Sequence, residues 1–455
     1  MLGNAANRWM HSARRAGWLC LLVLAASLLL AADRPLPPTL PGGLEVATDT
    51  SPDVLKVPAT AQLRPGMVVA QETPTIDFLF FQGQDHKGNP WSNWGDGSAV
   101  GDRYYTAIGD HLSPRGTAQV YEYDRTTKKL RLIFDARKFL ENTPGALPQG
   151  MDYTPGKIHS RIDVGGDGMV YFATHRGSAR TTTDKFGYQG DWVFRVDPAT
   201  AKAEIVAAHP VPRHCIPASV LDPQRMIFYG GTADGADAAD KGVQFFAYDV
   251  KNRKLLLKAP NGFDRYAIFS SSTGRIFWGV QKPGKDGEAP AEGRMYDPAT
   301  NTITPANVPH VRSATRETPG GWVYGTSGTK SALWAFNVRT GERKDLGPAA
   351  VARAEYITSM DADAAGRYLY YVPGAHGGNA LDGTPVVQYD TKTNTRKVLC
   401  FLADFYGTKY GYIPDGSFST ALSPDGATLY VTWNEKGWNL CAMTAIHIPE
   451  SERKP

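Results

Sequence analysis

Ser423-Pro424-Asp425-Gly426-Ala427-Thr428-Leu429-Tyr430-Val431-Thr432 reads as a tight reversal followed by an aromatic, β-branched strand. The same signature recurs along the chain. Gly166-Asp167-Gly168 precedes Met169 to Phe172, Asp222-Pro223 precedes Met226 to Tyr229, and Thr273-Gly274 precedes Ile276 to Trp278. Gly320-Gly321 precedes Trp322 to Tyr324, and Ala365-Gly366 precedes Tyr368 to Tyr370. A second half-signature alternates with the first: a strand ending in an acid or amide, then a polar turn. It falls at Asp124, Asp197, Asp249, Asp297, Asn337 and Asp390, which are 73, 52, 48, 40 and 53 residues apart. A unit of that length holds about four short antiparallel strands, which is one blade of a propeller. With Tyr104 to Ile108 as the first, seven such second strands occur. The expected fold is all-β, a single propeller of seven four-stranded blades, with six and eight as the alternatives. The last third strand, Met443 to Ile448, has almost no chain after it. An N-terminal strand around Ile76 to Phe81 is therefore expected to complete that blade and close the ring, leaving no open edge.

Composition agrees with strands joined by many turns: 11% aromatic, 47 glycines and 32 prolines in 455 residues, with no long amphipathic helical pattern. Residues 1–32 stand apart. Arg8, Arg14 and Arg15 precede the apolar run Trp18 to Leu30, and Ala31-Ala32 follow it. This is the pattern of a secretory signal peptide, with an uncleaved membrane anchor as the alternative. Residues 33–75, proline-rich at Pro35, Pro37, Pro38 and Pro41, read as an extended segment, and residues 76–455 as the propeller. The expectation is an exported monomer with no membrane attachment after cleavage.

Without residues 1–32 the chain carries 46 Lys+Arg against 45 Asp+Glu, so no basic excess argues for a nucleic-acid partner. Cys215, Cys400 and Cys441 remain, and an oxidising compartment permits a Cys400–Cys441 bridge. No CxxC or CxxCH occurs, which excludes a thiolate zinc site and covalent haem. No nucleotide cofactor is expected.

Ser423 to Thr432 resembles the YVTN-type repeat of streptogramin-lyase-like and gluconolactonase-like propellers. That resemblance implies fold, and chemistry has to come from one end of the ring. Ten histidines occur, and the blade layout sends six to the upper face. His111, His175 and His376 follow second strands, while His159, His214 and His310 begin innermost strands. Each taken singly is a turn cap or a channel filler. Together they offer neutral imidazoles for a general base or for a divalent metal such as Zn, Mn or Ca. His159, Arg161, His175 and Arg176 form the densest group, because a turn near Asp167-Gly168 folds their strands against each other. Arg161 and Arg176 are expected to neutralise a carboxylate, with an ion pair to Asp110 or Asp163 as the structural alternative for Arg161. Tyr188 and Tyr266 are the candidate acids, and His214, His310 and His376 the candidate metal ligands. Arg312 is expected to bind substrate. Trp91 and Trp94, in the long connection from Gly83 to Asp102, either stack on sugar rings or pack beneath the loop.

This His/Arg/Tyr face is similar to that of propeller polysaccharide lyases, including oligogalacturonate and ulvan lyases. The resemblance implies metal-assisted β-elimination from an acidic (uronate) polysaccharide or oligosaccharide, with His159 or His175 as base. The alternative is a non-catalytic propeller that binds a glycan or protein on the same face.

Overall fold

The computed structural model describes residues 35–86, 91–263, 265–280, 292–437 and 439–453. The expected signal peptide lies outside the described residues. Seven antiparallel sheets follow one another around a ring. Their innermost strands are Ser98–Val100, Asp163–Val164, His214–Asp222, Ile268–Phe269, Ser313–Ala314, Met360–Ala362 and Pro414–Leu422, and they define blades 1 to 7 in that order.

The repeat that marks the sequence has a local cause. At the foot of each third strand in blades 1 to 6, an Asp or Asn side chain accepts the backbone N–H two residues on. The bonds are Thr126 to Asp124 (2.8 Å), Ala199 to Asp197 (2.8 Å), Ala299 to Asp297 (2.9 Å), Arg339 to Asn337 (3.0 Å) and Lys392 to Asp390 (2.8 Å). In blade 3 Asp249 takes the N–H of Asn252 instead (2.8 Å). Asp and Asn are favoured here because their short side chains mimic a backbone carbonyl in the turn. Four residues after each one the chain enters left-handed backbone space, at Lys128, Ala201, Arg253, Asn301, Gly341 and Asn394. Ala201, at φ 56°, has neither an amide side chain nor glycine's freedom to ease that conformation. Ala201→Gly is therefore expected to raise stability by about 0.5 kcal/mol, read as a higher midpoint in urea.

Ring closure is as expected. Thr75–Phe80 pairs antiparallel with Cys441–His447 and supplies the outer strand of blade 7, with Ile76, Phe78 and Leu79 fully buried. The N-terminal segment then straps the ring. Ala47–Asp49 adds a fifth strand outside Thr75–Phe80, and Val68–Val69 runs parallel to Thr395–Phe401 at the edge of blade 6. Between blades the core is aromatic. Tyr104 stacks on Tyr430 at 5.0 Å, Phe134 meets Phe172 edge-on at 5.0 Å, and Phe277 meets Phe336 at 5.5 Å. The three described cysteines are free and buried, so the Cys400–Cys441 bridge permitted by sequence does not form.

The closure is pinned by Asp77, fully buried, which accepts Lys128 Nζ at 2.7 Å and Thr48 Oγ1 at 2.6 Å, with His447 Nε2 at 2.9 Å. Burial opposes its charge, but these bonds outweigh burial and hold the carboxyl at about 2. The folded value lies below the unfolded one. Its stabilisation is thus complete above about pH 4 and lost as pH falls toward 2. Asp77→Ala is expected to lower stability by about 2–3 kcal/mol at neutral pH and to flatten that acid slope, measured by urea unfolding across pH.

Candidate functional site

Alternate residues at the approach to each innermost strand point into the axial channel, as the two-residue period of extended backbone requires. At one end they line a cavity of about 310 Å³. Lys157 and His159 come from blade 2, Arg265 from blade 4, Arg312 from blade 5, Tyr356 from blade 6 and Phe418 from blade 7. His175, Arg176 and His376 enter from the ends of second strands, and Trp94 enters from the loop before blade 1.

His159 and His175 are side by side with ring centres 5.4 Å apart. The register is two residues from the expected one, since His175 N–H bonds the carbonyl of Lys157 rather than facing His159. His159 Nδ1 lies 2.8 Å from the Pro217 carbonyl and His175 Nδ1 lies 2.6 Å from the Arg176 carbonyl. A carbonyl only accepts, so each Nδ1 carries the proton and each Nε2 keeps its lone pair. Both imidazoles are pushed well below the usual range, first by burial and then by cations: Lys157, Arg265 and Arg312 for His159, and Lys157 and Arg176 for His175. They are neutral bases through mildly acidic pH.

Lys157, Arg176, Arg265 and Arg312 make the rest of the wall cationic, and among the described residues no Asp or Glu borders this cavity. Arg176 Nη1 donates to the Asp234 carbonyl at 2.7 Å. Arg312 Nε donates to Tyr356 Oη and its guanidinium lies 4.9 Å from that ring's centre. Trp94 forms the aromatic side. Its ring stacks 6.0 Å from His159 and 4.8 Å from Phe418, and its Nε1 donates to Ser92 Oγ at 2.7 Å. Ser92 Oγ also bonds His111 Nε2 at 2.8 Å, which ties His111 behind Trp94 and outside the cavity lining.

A second layer lies deeper in the channel, where Tyr266 Oη donates to Asp96 Oδ2 at 2.6 Å and Arg161 Nε sits 2.9 Å from Asp163 Oδ1. Burial pushes the Asp96 carboxyl up to about 6, against its bonds to Ser359 and Tyr266. Arg161 thus pairs with Asp163 two residues along its own blade, rather than across blades as the alternative reading had it, and with Tyr266 it stands below the upper cavity.

The other expected residues go elsewhere. Tyr188 is 1% exposed and donates to Asp191 at 2.8 Å, beside Tyr153, so it is core. Trp91 is also 1% exposed and packs on His86, which is the buried outcome of the two for that indole, while Trp94 borders the cavity. The expected metal ligands do not converge. His214 has both ring nitrogens within bonding distance, Nδ1 to Thr232 Oγ1 at 2.8 Å and Nε2 to the Asp240 carbonyl at 2.7 Å. His310 is buried away from the cavity lining, and only His376 borders it. Among the described residues no three His, Cys, Asp or Glu side chains group as ligands. His214, His310 and His376 therefore do not form a Zn, Mn or Ca site among the described residues. Lys157, Arg265, Tyr356 and Phe418 were not singled out from sequence. Lys157, Arg265 and Tyr356 lie in the segments leading into innermost strands, while Phe418 lies within one, so position along the strand does not by itself mark them.

No protein family model and no curated protein matches the sequence. Solved structures do match in shape. An oligogalacturonate lyase in complex with manganese superposes with a TM-score of 0.53 at 12% identity, over 90% of this chain and 98% of that one. An oligogalacturonate lyase from Vibrio parahaemolyticus gives 0.51 at 9% identity, over 90% and 98%. This chain shares their fold. At such identities the likeness is one of architecture, and the chemistry rests on the residues above.

His159 is partly buried and His175 buried. Their folded pKa values lie below the unfolded value of about 6.5. Below pH 6.5 the unfolded chain takes up protons that the folded chain refuses, so stability falls as pH drops. The double variant His159→Ala/His175→Ala is expected to show a shallower decline between about pH 6.5 and 4.5 in urea-midpoint measurements.

Proposed function

We propose that the chain is a carbohydrate lyase that β-eliminates an acidic sugar polymer or oligomer, taking the C5 proton of a uronate residue at this cavity. That proton is weakly acidic while the neighbouring carboxylate keeps its charge, because removing it delocalises more negative charge onto the same group. Cations placed on the carboxylate lower that barrier, and a neutral base within reach takes the proton. The observation that carries the reading is the pairing of two Nε2 lone pairs, on His159 and His175, with a wall of four cations and no carboxylate.

Arg176 and Arg312 are assigned to the uronate carboxylate, since guanidinium forks match a carboxylate's two oxygens. Trp94 and Phe418 supply apolar faces for sugar rings. Tyr356, whose hydroxyl accepts from Arg312 Nε, is assigned as the proton donor to the departing oxygen. This assignment replaces Tyr188, which is committed to Asp191. The positive charge needed at the carboxylate comes here from side chains. Export directed by residues 1–32 is part of the same proposal, as it places the protein with extracellular polysaccharide.

The test is to incubate the mature protein with polygalacturonate, ulvan, alginate and glycosaminoglycans, following the ultraviolet absorbance of the unsaturated uronate. A rise with one polymer class is expected. Binding without any absorbance change across all four would favour the non-catalytic alternative.

A further inference from the structure

Lys157 has an unusual setting. Its Nζ lies 4.5 Å from the centre of the Trp94 ring, and among the described residues it has neither a hydrogen-bond acceptor nor an acidic partner. An ammonium partly withdrawn from water is normally paired, because desolvating it without a counter-charge is costly. Here the neighbours bordering the same cavity are Arg176, Arg265 and Arg312, all of its own sign, together with the neutral rings of His159 and His175. The arrangement weakens the ammonium without abolishing it: burial with the nearby Arg176 and Arg265 brings its pKa down to about 8, so a minority of molecules carry the free amine at neutral pH and most do above pH 8. An amine desolvated beside other cations is the setting that makes lysine a nucleophile toward carbonyl carbon.

We propose that Lys157 is an imine-forming site for small carbonyl compounds that carry a carboxylate next to the carbonyl, the 2-oxo acids. This goes beyond the elimination reading and does not depend on it. The cationic wall holds the carboxylate, and the Trp94 face flanks the planar carbonyl. The lone pair of the neutral amine forms the C–N bond as the C=O π pair moves onto oxygen; Nε2 of His159 or His175 takes one proton from nitrogen and passes it to that oxygen, giving the carbinolamine. A second proton, from solvent water, reaches the hydroxyl, which leaves as water while the nitrogen lone pair closes the C=N bond of the iminium.

The probe is pyruvate, trapped on the mature protein with borohydride, whose hydride reduces the iminium to a stable secondary amine. Peptide mass mapping should place one reduced-pyruvate adduct on Lys157, saturating with pyruvate. Exposed Lys129 and Lys202, in the same digest, should label at least about tenfold less. Acetone, which lacks the carboxylate, should label Lys157 far less than pyruvate does. Lys157→Arg should abolish that adduct while keeping a cation in place, with folding checked by circular dichroism. Absence of an adduct on Lys157 in the wild type, or labelling no faster than at Lys129 and Lys202, overturns the proposal. Because the readout is a covalent mass on one residue, its failure is distinct from failure of the lyase assay.

Discussion

Deleting the chain through Phe80 is expected to leave a protein with no cooperative thermal transition. The strand Thr75–Phe80 makes a continuous six-residue ladder with Phe80↔Ala442 at one end and Thr75↔His447 at the other. Without it blade 7 keeps three strands and bares the outer edge of Cys441–His447. The strand also buries Ile76, Phe78 and Leu79 completely, with Phe78 set against Tyr406, Tyr410 and Tyr412 at 4.5, 5.1 and 5.6 Å. Each such side chain contributes about 1.5–3 kcal/mol, so the three together approach the lower end of a domain's net stability of about 5–15 kcal/mol. Loss of the backbone ladder and of the Asp77 cluster adds to that. Phe78→Ala alone is expected to cost about 3–5 kcal/mol. A truncation that begins at Pro74 keeps the strand and should retain a single transition at lower temperature. Circular-dichroism melts of the three proteins decide the point, and a cooperative melt of the strand-less form would show that the ring does not depend on its closure.

The second large effect concerns the paired imidazoles. Replacing the base is expected to reduce kcat/KM by about 10²–10⁴ while changing substrate binding only a few fold, because the cations and Trp94 stay in place. His159→Ala and His175→Ala made separately identify which ring takes the proton, the other serving to position substrate. The acid limb of the pH profile should lie well below the usual imidazole value of about 6.5, because burial and the surrounding cations disfavour the imidazolium. An acid limb near 6.5, or variants that lose binding and turnover in parallel, would remove both histidines from the base role.

The propeller was legible because its signals are local. An Asp at a strand's foot takes its own turn's N–H whatever else surrounds it, so Asp124, Asp197 and Asp390 mark blades without any knowledge of the ring. The closing strand was legible by subtraction, since a blade with no fourth strand must borrow one. His159, His175, Arg176, Arg312 and His376 were legible at the mouth because strand ends dictate which face they reach. What sequence could not supply was each side chain's partner. His214 reaches the correct rim and is then held by Thr232 and a loop carbonyl 26 residues away. Tyr188 lies in an upper loop, yet that loop folds inward and delivers its hydroxyl to Asp191. Arg161 shares a side of its strand with His159, but one step farther down the channel Asp163 is there to take it. Lys157 escaped notice because a lysine at a strand's start is ordinary until the cations around it are known.

The central claim is that the cationic cavity holds a uronate with its carboxylate on the arginines and its C5 proton at an imidazole. A crystal structure of the His159→Ala/His175→Ala variant soaked with a saturated oligouronide tests it most directly. A carboxylate within hydrogen-bond distance of Arg176 and Arg312 is expected, with a sugar ring against Trp94 and the C5 position facing the space vacated by the imidazoles. An oligouronide bound outside this cavity, or one whose carboxylate points away from both arginines, would contradict it.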